Sequence, residues 1–204
     1  GGHFDVTVGP IVSLWGIGTE NPRVPSSDEI ARAVSLTDYT TVVLDDSARS
    51  VFLPEAGQAI DLGGIAKGWA IGAVISALRG KGVDTALLNF GGNVCTLGTK
   101  KDGSPWRIGI QDPWDLRGNY IAIVEAGEKA VATSGKYERF FIADGVRYHH
   151  ILDTRTGYPV ENGVASVSIV SSDPTQADAL STAVFSMGLE DGYALLLSLP
   201  EVDG

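Results

Sequence analysis

Hydrophobic and polar positions alternate in short runs along most of the chain, and helical periodicity appears in four stretches. Positions 4–14 read as a strand or buried extended segment broken by Gly9-Pro10. Ser26-Ser27-Asp28-Glu29 offers a capping box for a short helix through about Val34. Positions 40–44 and 50–53 predict a hairpin around Asp45-Asp46, and Ile60-Asp61-Leu62 the end of a strand stopped by Gly63-Gly64. A helix is expected from Ile65 to about Leu78, with Ile65, Trp69, Val74 and Leu78 on a broad buried stripe that also takes in Ala70, Ile71 and Ala77. Gly80 and Gly82 end it.

Strands are expected near 85–90, 93–97, 106–111, 120–125 and 129–133. A hairpin of 138–142 and 147–152 turns at Asp144-Gly145, and a further strand covers about 164–171. Helices over about 174–187 and 190–198 close the chain. Strands in runs with helices between them predict an α+β fold with mixed, largely antiparallel sheets, because regular βαβ alternation is missing.

Composition narrows the functional classes. The 204 residues are enough for one domain, or one domain with lobes. The net charge is −10 and the 15 basic residues are scattered, which argues against a nucleic-acid partner. The single cysteine, Cys95, forms no internal disulfide and sits in an apolar run that reads as buried. No apolar stretch reaches the length of a membrane span. The chain opens without Met directly into structured sequence, and so reads as a piece of a longer one.

Four places carry candidate chemistry. In 61–68, Asp-Leu-Gly-Gly-Ile-Ala-Lys-Gly, glycines precede a helix N-terminus and Lys67 adds charge in its first turn. That is a pyrophosphate cradle, or equally a tight turn with a solvated lysine. In 175–182, Asp178 and Thr182 share one helix face, and a carboxylate with a hydroxyl is hard-oxygen ligation suited to Mg²⁺. The same pair fits an acid complementing a helix dipole, with Thr182 bonding back to the main chain. In 149–157, strand alternation sends His149 and His150 to opposite faces, and either imidazole can serve as a general base or stand as a surface histidine. Ala132-Thr133-Ser134-Gly135 reads as a small polar loop able to line a ligand.

The order of these blocks is more specific than any one of them. Phe4-Asp5-Val6-Thr7-Val8-Gly9-Pro10, the 61–68 segment, Asn89-Phe90-Gly91-Gly92-Asn93, Ala132 to Gly135, His150-Ile151-Leu152-Asp153 with Thr156-Gly157, and Ala177-Asp178 with Thr182 together resemble the ApbE family, FAD:protein FMN transferases. The resemblance covers essentially the whole chain and implies a single ApbE-like domain of T-fold-related architecture over 1–204. It also implies that a segment before Phe4 and a closing piece after the last helix are missing.

By resemblance, the reaction is Mg²⁺-dependent. FAD is split at its pyrophosphate, FMN is joined through a phosphoester to a Thr or Ser of an acceptor protein, and AMP leaves. Position by position, Asp178 and Thr182 match side-chain metal ligands and Gly64 a backbone-carbonyl ligand. Asp61, Lys67, the main chain near Leu152 and the opening His3-Phe4-Asp5 match FAD contacts, and His150 matches the base for the acceptor hydroxyl. The resemblance further implies an extracytoplasmic, periplasmic or membrane-anchored lipoprotein. Its acceptors are respiratory or extracellular electron-transfer subunits with a Ser/Thr flavinylation motif. The residues leave two other readings open: a Mg²⁺-dependent FAD pyrophosphatase giving FMN and AMP, and a non-catalytic FAD-binding protein.

Overall fold

The computed structural model describes residues 2–204. In chain order the helices are α1 (Gly9–Trp15), α2 (Ser27–Ser35), α3 (Ala66–Gly80), α4 (Pro174–Met187) and α5 (Leu189–Leu197). The strands are β1 (Val43–Asp45), β2 (Ser50–Phe52), β3 (Ala86–Phe90), β4 (Asn93–Leu97), β5 (Trp106–Gln111), β6 (Tyr120–Ala126), β7 (Ala130–Gly135), β8 (Phe140–Ala143), β9 (Val146–His149) and β10 (Ser166–Ser171). The fold is α+β, and every pairing between these strands is antiparallel. Two compact units form: the stretch up to Leu62 with Lys136–Asn162, and Gly63–Gly135 with Gly163–Gly204.

In the second unit, the sheet runs β10-β7-β4-β3. The two-residue period of a strand sorts its side chains into two cores. Cys95, Leu97, Ala130, Ala132 and Ile169 pack with Ile71 and Ile75 of α3 and Ala177 and Val184 of α4. The alternate residues Val94, Val131 and Val170 pack with Ile108, Val124 and Ala126 of the β5–β6 hairpin. Cys95 is buried, as its apolar run predicts. Burial pushes its thiol pKa above the ordinary value, with nearby Arg79 and a hydrogen bond pulling the other way.

Helix α3 departs from the expected stripe. Its buried positions are Gly68, Ile71 and Ile75, while Trp69 is 67% exposed and Ala77 is exposed as well. The reason is Gly68, where a Cβ would lie only 2.8 Å from the Asp178 Cβ and closer still to the Pro174 carbonyl. Close approach of α4 at this glycine sets which face turns inward, and the bulkiest apolar residue of the helix ends outside. Size alone does not decide burial.

In the first unit, 4–14 is not extended. A 3₁₀ turn at Val6–Val8 leads into α1. The Asp5 carboxylate accepts from the Thr7 N–H at 2.8 Å and from its hydroxyl at 2.6 Å, which starts the turn. Pro10 then sits in the first helical turn, where its fixed φ suits the helix and no N–H is lost. Ile11 and Trp15, one turn apart, are fully buried. Burying a large apolar side chain of this kind contributes about 1.5–3 kcal/mol.

Trp15 lies among Phe141, Tyr148 and Tyr158 and donates from its indole to the Gly157 carbonyl at 2.7 Å. Helix α2 has the capping box its sequence predicts, Ser26 with Glu29. The Arg23 guanidinium and the Ser26 donors hold the Glu29 carboxyl down at about 2. Ile60-Asp61-Leu62 forms no strand; Asp61 N–H bonds the Val6 carbonyl at 2.8 Å instead. The β8–β9 hairpin turns at Asp144-Gly145, both at positive φ, as its sequence predicts. Among the described residues no helix is long and apolar enough to cross a membrane.

Gly68→Ala is expected to lower the unfolding free energy by about 1–3 kcal/mol, because overpacking at α4 outweighs the helix propensity of alanine. Gly80→Ala, whose Cβ meets nothing within 4 Å, is expected to leave stability unchanged or raise it slightly. Urea unfolding midpoints of the two variants check the opposite outcomes.

Candidate functional site

Asp178 is the centre of the polar cluster in the second unit. Its side chain is buried, with 2% exposure, and α4 carries it toward the first turn of α3. One carboxylate oxygen accepts from the Gly68 N–H at 2.8 Å and the other from the Asn93 side-chain amide at 2.7 Å. Gly68 lies in the opening turn of α3, so the carboxylate faces the positive end of that helix. Asn93 opens β4 on the same strand face as Cys95 and Leu97, and the pleat therefore aims its amide at the helical layer.

A hydroxyl row continues from it. Ser134 Oγ lies 2.8 Å from Ser181 Oγ and 3.2 Å from Thr182 Oγ1, and Ser181 donates to the Asp178 main-chain carbonyl at 2.8 Å. The back-bonding hydroxyl is thus that of Ser181, while Thr182 faces Ser134. The helix dipole met by Asp178 is that of α3. Ala132-Thr133-Ser134-Gly135 is the end of β7 and not a loop; Ser134 extends the strand face that begins with Ala130 and Ala132.

Among the described residues no group of three or more His, Cys, Asp or Glu side chains is placed to hold a metal. The donor set assigned by resemblance is of another kind: one carboxylate, one hydroxyl and one carbonyl. All are hard oxygens, and each Asp178 oxygen keeps a lone pair beyond its single hydrogen bond, so the set fits Mg²⁺ chemically. Gly64 lies in the turn just before α3. Lys67 follows in the first helical turn, half-buried, its Cδ 4.0 Å from where a Cβ on Gly91 would lie.

The first unit holds the remaining candidates. Asp5 is buried, and its carboxylate is engaged by Thr7 and, at 3.1 Å, by the Tyr39 N–H. His3 keeps a buried Nδ1 with no hydrogen-bond partner among the described residues, the kind of orphaned atom a ligand satisfies. Phe4, next to it, is half-buried. Leu152 is buried and pairs with Pro159 in an isolated antiparallel bridge. The bridge bonds are Val160 N–H to Ile151 and Asp153 N–H to Tyr158, which leaves the Leu152 amide and carbonyl turned away from Pro159 and without a backbone partner among the described residues.

The two histidines sit in different surroundings, as alternation predicts. His150 Nδ1 lies 3.2 Å from the Arg139 carbonyl. A carbonyl only accepts, so Nδ1 carries the proton and Nε2 the basic lone pair. His149 is 1% exposed; its Nε2 donates to the Val160 carbonyl at 2.9 Å and its Nδ1 accepts from Ile151 N–H at 3.3 Å. Burial holds its pKa below the ordinary 6.5, with Lys136 and Arg147 acting in the same direction against Glu161 and the Val160 bond.

Sequence reasoning assigned no role to Asn93 or Ser181, left His149 as one of two candidate bases, and read Ser134 only as part of a polar loop. Polar residues on the core-facing phase of a strand, Asn93 before Cys95 and Ser134 after Ala132, were the available signal.

A family model described as the ApbE family matches residues 1–203. A Klebsiella pneumoniae protein named FAD:protein FMN transferase is 40% identical over 200 residues, covering 98% of this chain and 61% of its own length. A Treponema pallidum protein of the same name is 39% identical, covering 100% and 60%. Among solved structures, the ApbE protein of Thermotoga maritima matches with TM-score 0.89 and 45% identity over 97% of this chain and 64% of that one. Flavin Transferase ApbE from Vibrio cholerae matches with TM-score 0.82 and 35% identity over 96% and 62%. The chain thus spans about six tenths of the length of the curated relatives it matches.

Stability is expected to fall on acidification through the histidine range. His149 has a lower pKa folded than unfolded, so below about 6.5 the unfolded chain takes up a proton that the folded one refuses. The slope approaches about 1.4 kcal/mol per pH unit at its steepest, until pH passes the lower folded value. Melting curves from pH 8 to 5 should show this component in the native protein and its loss in His149→Gln.

Proposed function

The chain belongs to the ApbE family, and on that premise we propose that it transfers the FMN moiety of FAD to a Ser or Thr hydroxyl of an acceptor protein, releasing AMP. The observation that carries the reading is the buried Asp178 carboxylate, held by Gly68 and Asn93 one helical turn from Thr182. A charge kept in the interior beside a hydroxyl and the positive end of a helix suits polyphosphate chemistry better than packing.

Asp178, Thr182 and the Gly64 carbonyl would hold Mg²⁺. When bound, the ion neutralises pyrophosphate charge and lowers the cost of phosphoryl transfer. The half-buried Lys67 in the first turn of α3 adds a positive charge for the same phosphates. His3 with its orphaned Nδ1, Phe4, Asp5, Asp61 and the Leu152 main chain are the remaining FAD contacts of this reading.

The acceptor oxygen bonds to the FMN-side phosphorus, the bond from that phosphorus to the bridging oxygen breaks, and AMP departs with the bridging oxygen. The acceptor proton goes to His150 Nε2, whose lone pair is set by the Nδ1–H bond to Arg139. The same reading puts the protein outside the cytoplasmic membrane, periplasmic or membrane-anchored as a lipoprotein. Its acceptors are respiratory or extracellular electron-transfer subunits bearing a flavinylation motif. The family resemblance alone supports this last part.

The test is mass spectrometry of an acceptor protein incubated with the chain, FAD and Mg²⁺. The expected result is a gain equal to one FMN phosphoester, abolished by EDTA and reduced about 100-fold or more in Asp178→Asn, with that variant's melting temperature recorded in parallel. AMP and free FMN with an unmodified acceptor would replace the transferase reading by the pyrophosphatase. Undiminished transfer by Asp178→Asn would sink the metal assignment.

A further inference from the structure

His149 is a buried titratable group that the proposed chemistry does not use, and its bonding explains what it does. Residues Ile151 and Val160 flank the Leu152–Pro159 bridge and stand where an antiparallel ladder exchanges two hydrogen bonds. One of the two is made, from Val160 N–H to the Ile151 carbonyl at 3.0 Å. In place of the other stands the imidazole. Ile151 N–H donates to Nδ1, and Nε2–H donates to the Val160 carbonyl. The ring therefore fills a rung of the ladder, and it does so only as the neutral Nε2–H tautomer.

The rung encloses the residues assigned to FAD and to the acceptor proton. The His149–Ile151 bond spans His150 through a side-chain-to-backbone loop, fixing the backbone on both of its sides. The second half of the rung holds Val160 against Ile151, and Leu152 follows at once with its amide and carbonyl turned away from Pro159. We infer that His149 is a positioning residue for the transfer proposed above, setting the backbone that presents His150 and the Leu152 main chain through a neutral imidazole built into the ladder.

The inference rests on the transferase reading for its kinetic consequence, but the rung itself is independent of it. Protonation would turn Nδ1 into a donor facing the Ile151 N–H, and the rung would open. The charged groups acting on the ring are Lys136 and Arg147, which oppose protonation, and Glu161, which favours it.

The experiment pairs NMR with kinetics on the chain and its His149→Gln, His149→Asn and His149→Phe variants. The glutamine retains a donor reaching toward Val160, the asparagine an acceptor near Ile151, and the phenylalanine neither. Imidazole ¹⁵N spectra of the native protein are expected to show His149 as the Nε2–H tautomer, with the Ile151 amide shift following its titration. His150 ring shifts and titration are expected to move in His149→Phe and to be partly restored in the two amide variants. FMN transfer at pH 8 is expected to fall about 10–100-fold in His149→Phe, as for other residues that orient a reacting group, with partial rescue in the amides.

A folded His149→Phe variant with native His150 titration and native transfer rates would overturn the inference. So would an Nδ1–H tautomer at His149. Failure of the native protein to transfer FMN would sink the function reading instead, and the NMR shifts would still decide whether His149 positions His150.

Discussion

The second unit depends on one buried carboxylate. Asp178 joins α4 to the first turn of α3 through Gly68 and to β4 through Asn93, so three elements meet at two oxygens. Among the described residues it has no ion-pair partner, and its charge is balanced by the α3 terminus and an amide dipole. Removing a carboxylate from water costs several kcal/mol. Hydrogen bonds to a charged group return about 1.5–3 kcal/mol each. A neutral pair would join the helices at lower cost. The geometry around it fits that expense: α4 comes so close at Gly68 that no side chain fits between, and Ser134, Ser181 and Thr182 extend the polar surface beside the carboxylate.

The first unit solves a different problem, how to hold an irregular segment rigid. Between β9 and Val160 the backbone makes no regular sheet, only the Leu152–Pro159 bridge. Side chains supply what the ladder lacks. The His149 ring completes a rung, and Arg155 caps the Asp153 carboxylate from its amide and guanidinium, at 2.8 and 3.0 Å. Burial raises the Asp153 pKa, but the Arg155 bonds outweigh it and the net shift is downward. Behind the segment, the Trp15 indole fastens Gly157 to the aromatic core. A segment fixed by side chains in this way can leave main-chain polar groups out of the ladder, as at Leu152, without fraying. The two histidines divide the labour through opposite tautomers, one bonded into the ladder and one carrying a basic Nε2.

Much of this was legible in the chain. The capping box at Ser26, the hairpin at Asp144-Gly145, the α4 boundaries and most strands follow from short-range rules that act within a few residues. The errors share one cause. Positions 4–14 alternate like a strand, but Asp5 can start a turn and Pro10 can open a helix, and burial of Ile11 and Trp15 on one helical face settles the contest. Trp69 has the composition of a core residue and lies outside because α4 meets α3 at Gly68. The 132–135 segment has the composition of a loop and is strand, because Ser166 to Ser171 pairs along it.

The sequence by itself determined most of the local elements, the α+β class and the family, because caps, turns, periodicity and an ordered set of motifs are properties of neighbouring residues. It also offered Asp178, Thr182 and His150 as candidates for the chemistry. Only the tertiary structure decided what surrounds them. Asn93 lies 85 positions from Asp178, and Gly68 lies 110. Their convergence depends on how strands register and how closely helices pack, which no window of sequence contains. The structure likewise decided that Asp178 meets the dipole of α3 and not its own helix, and that His149 belongs to the ladder. Side-chain identity fixes what chemistry is available, and packing at long range fixes which partner each group meets.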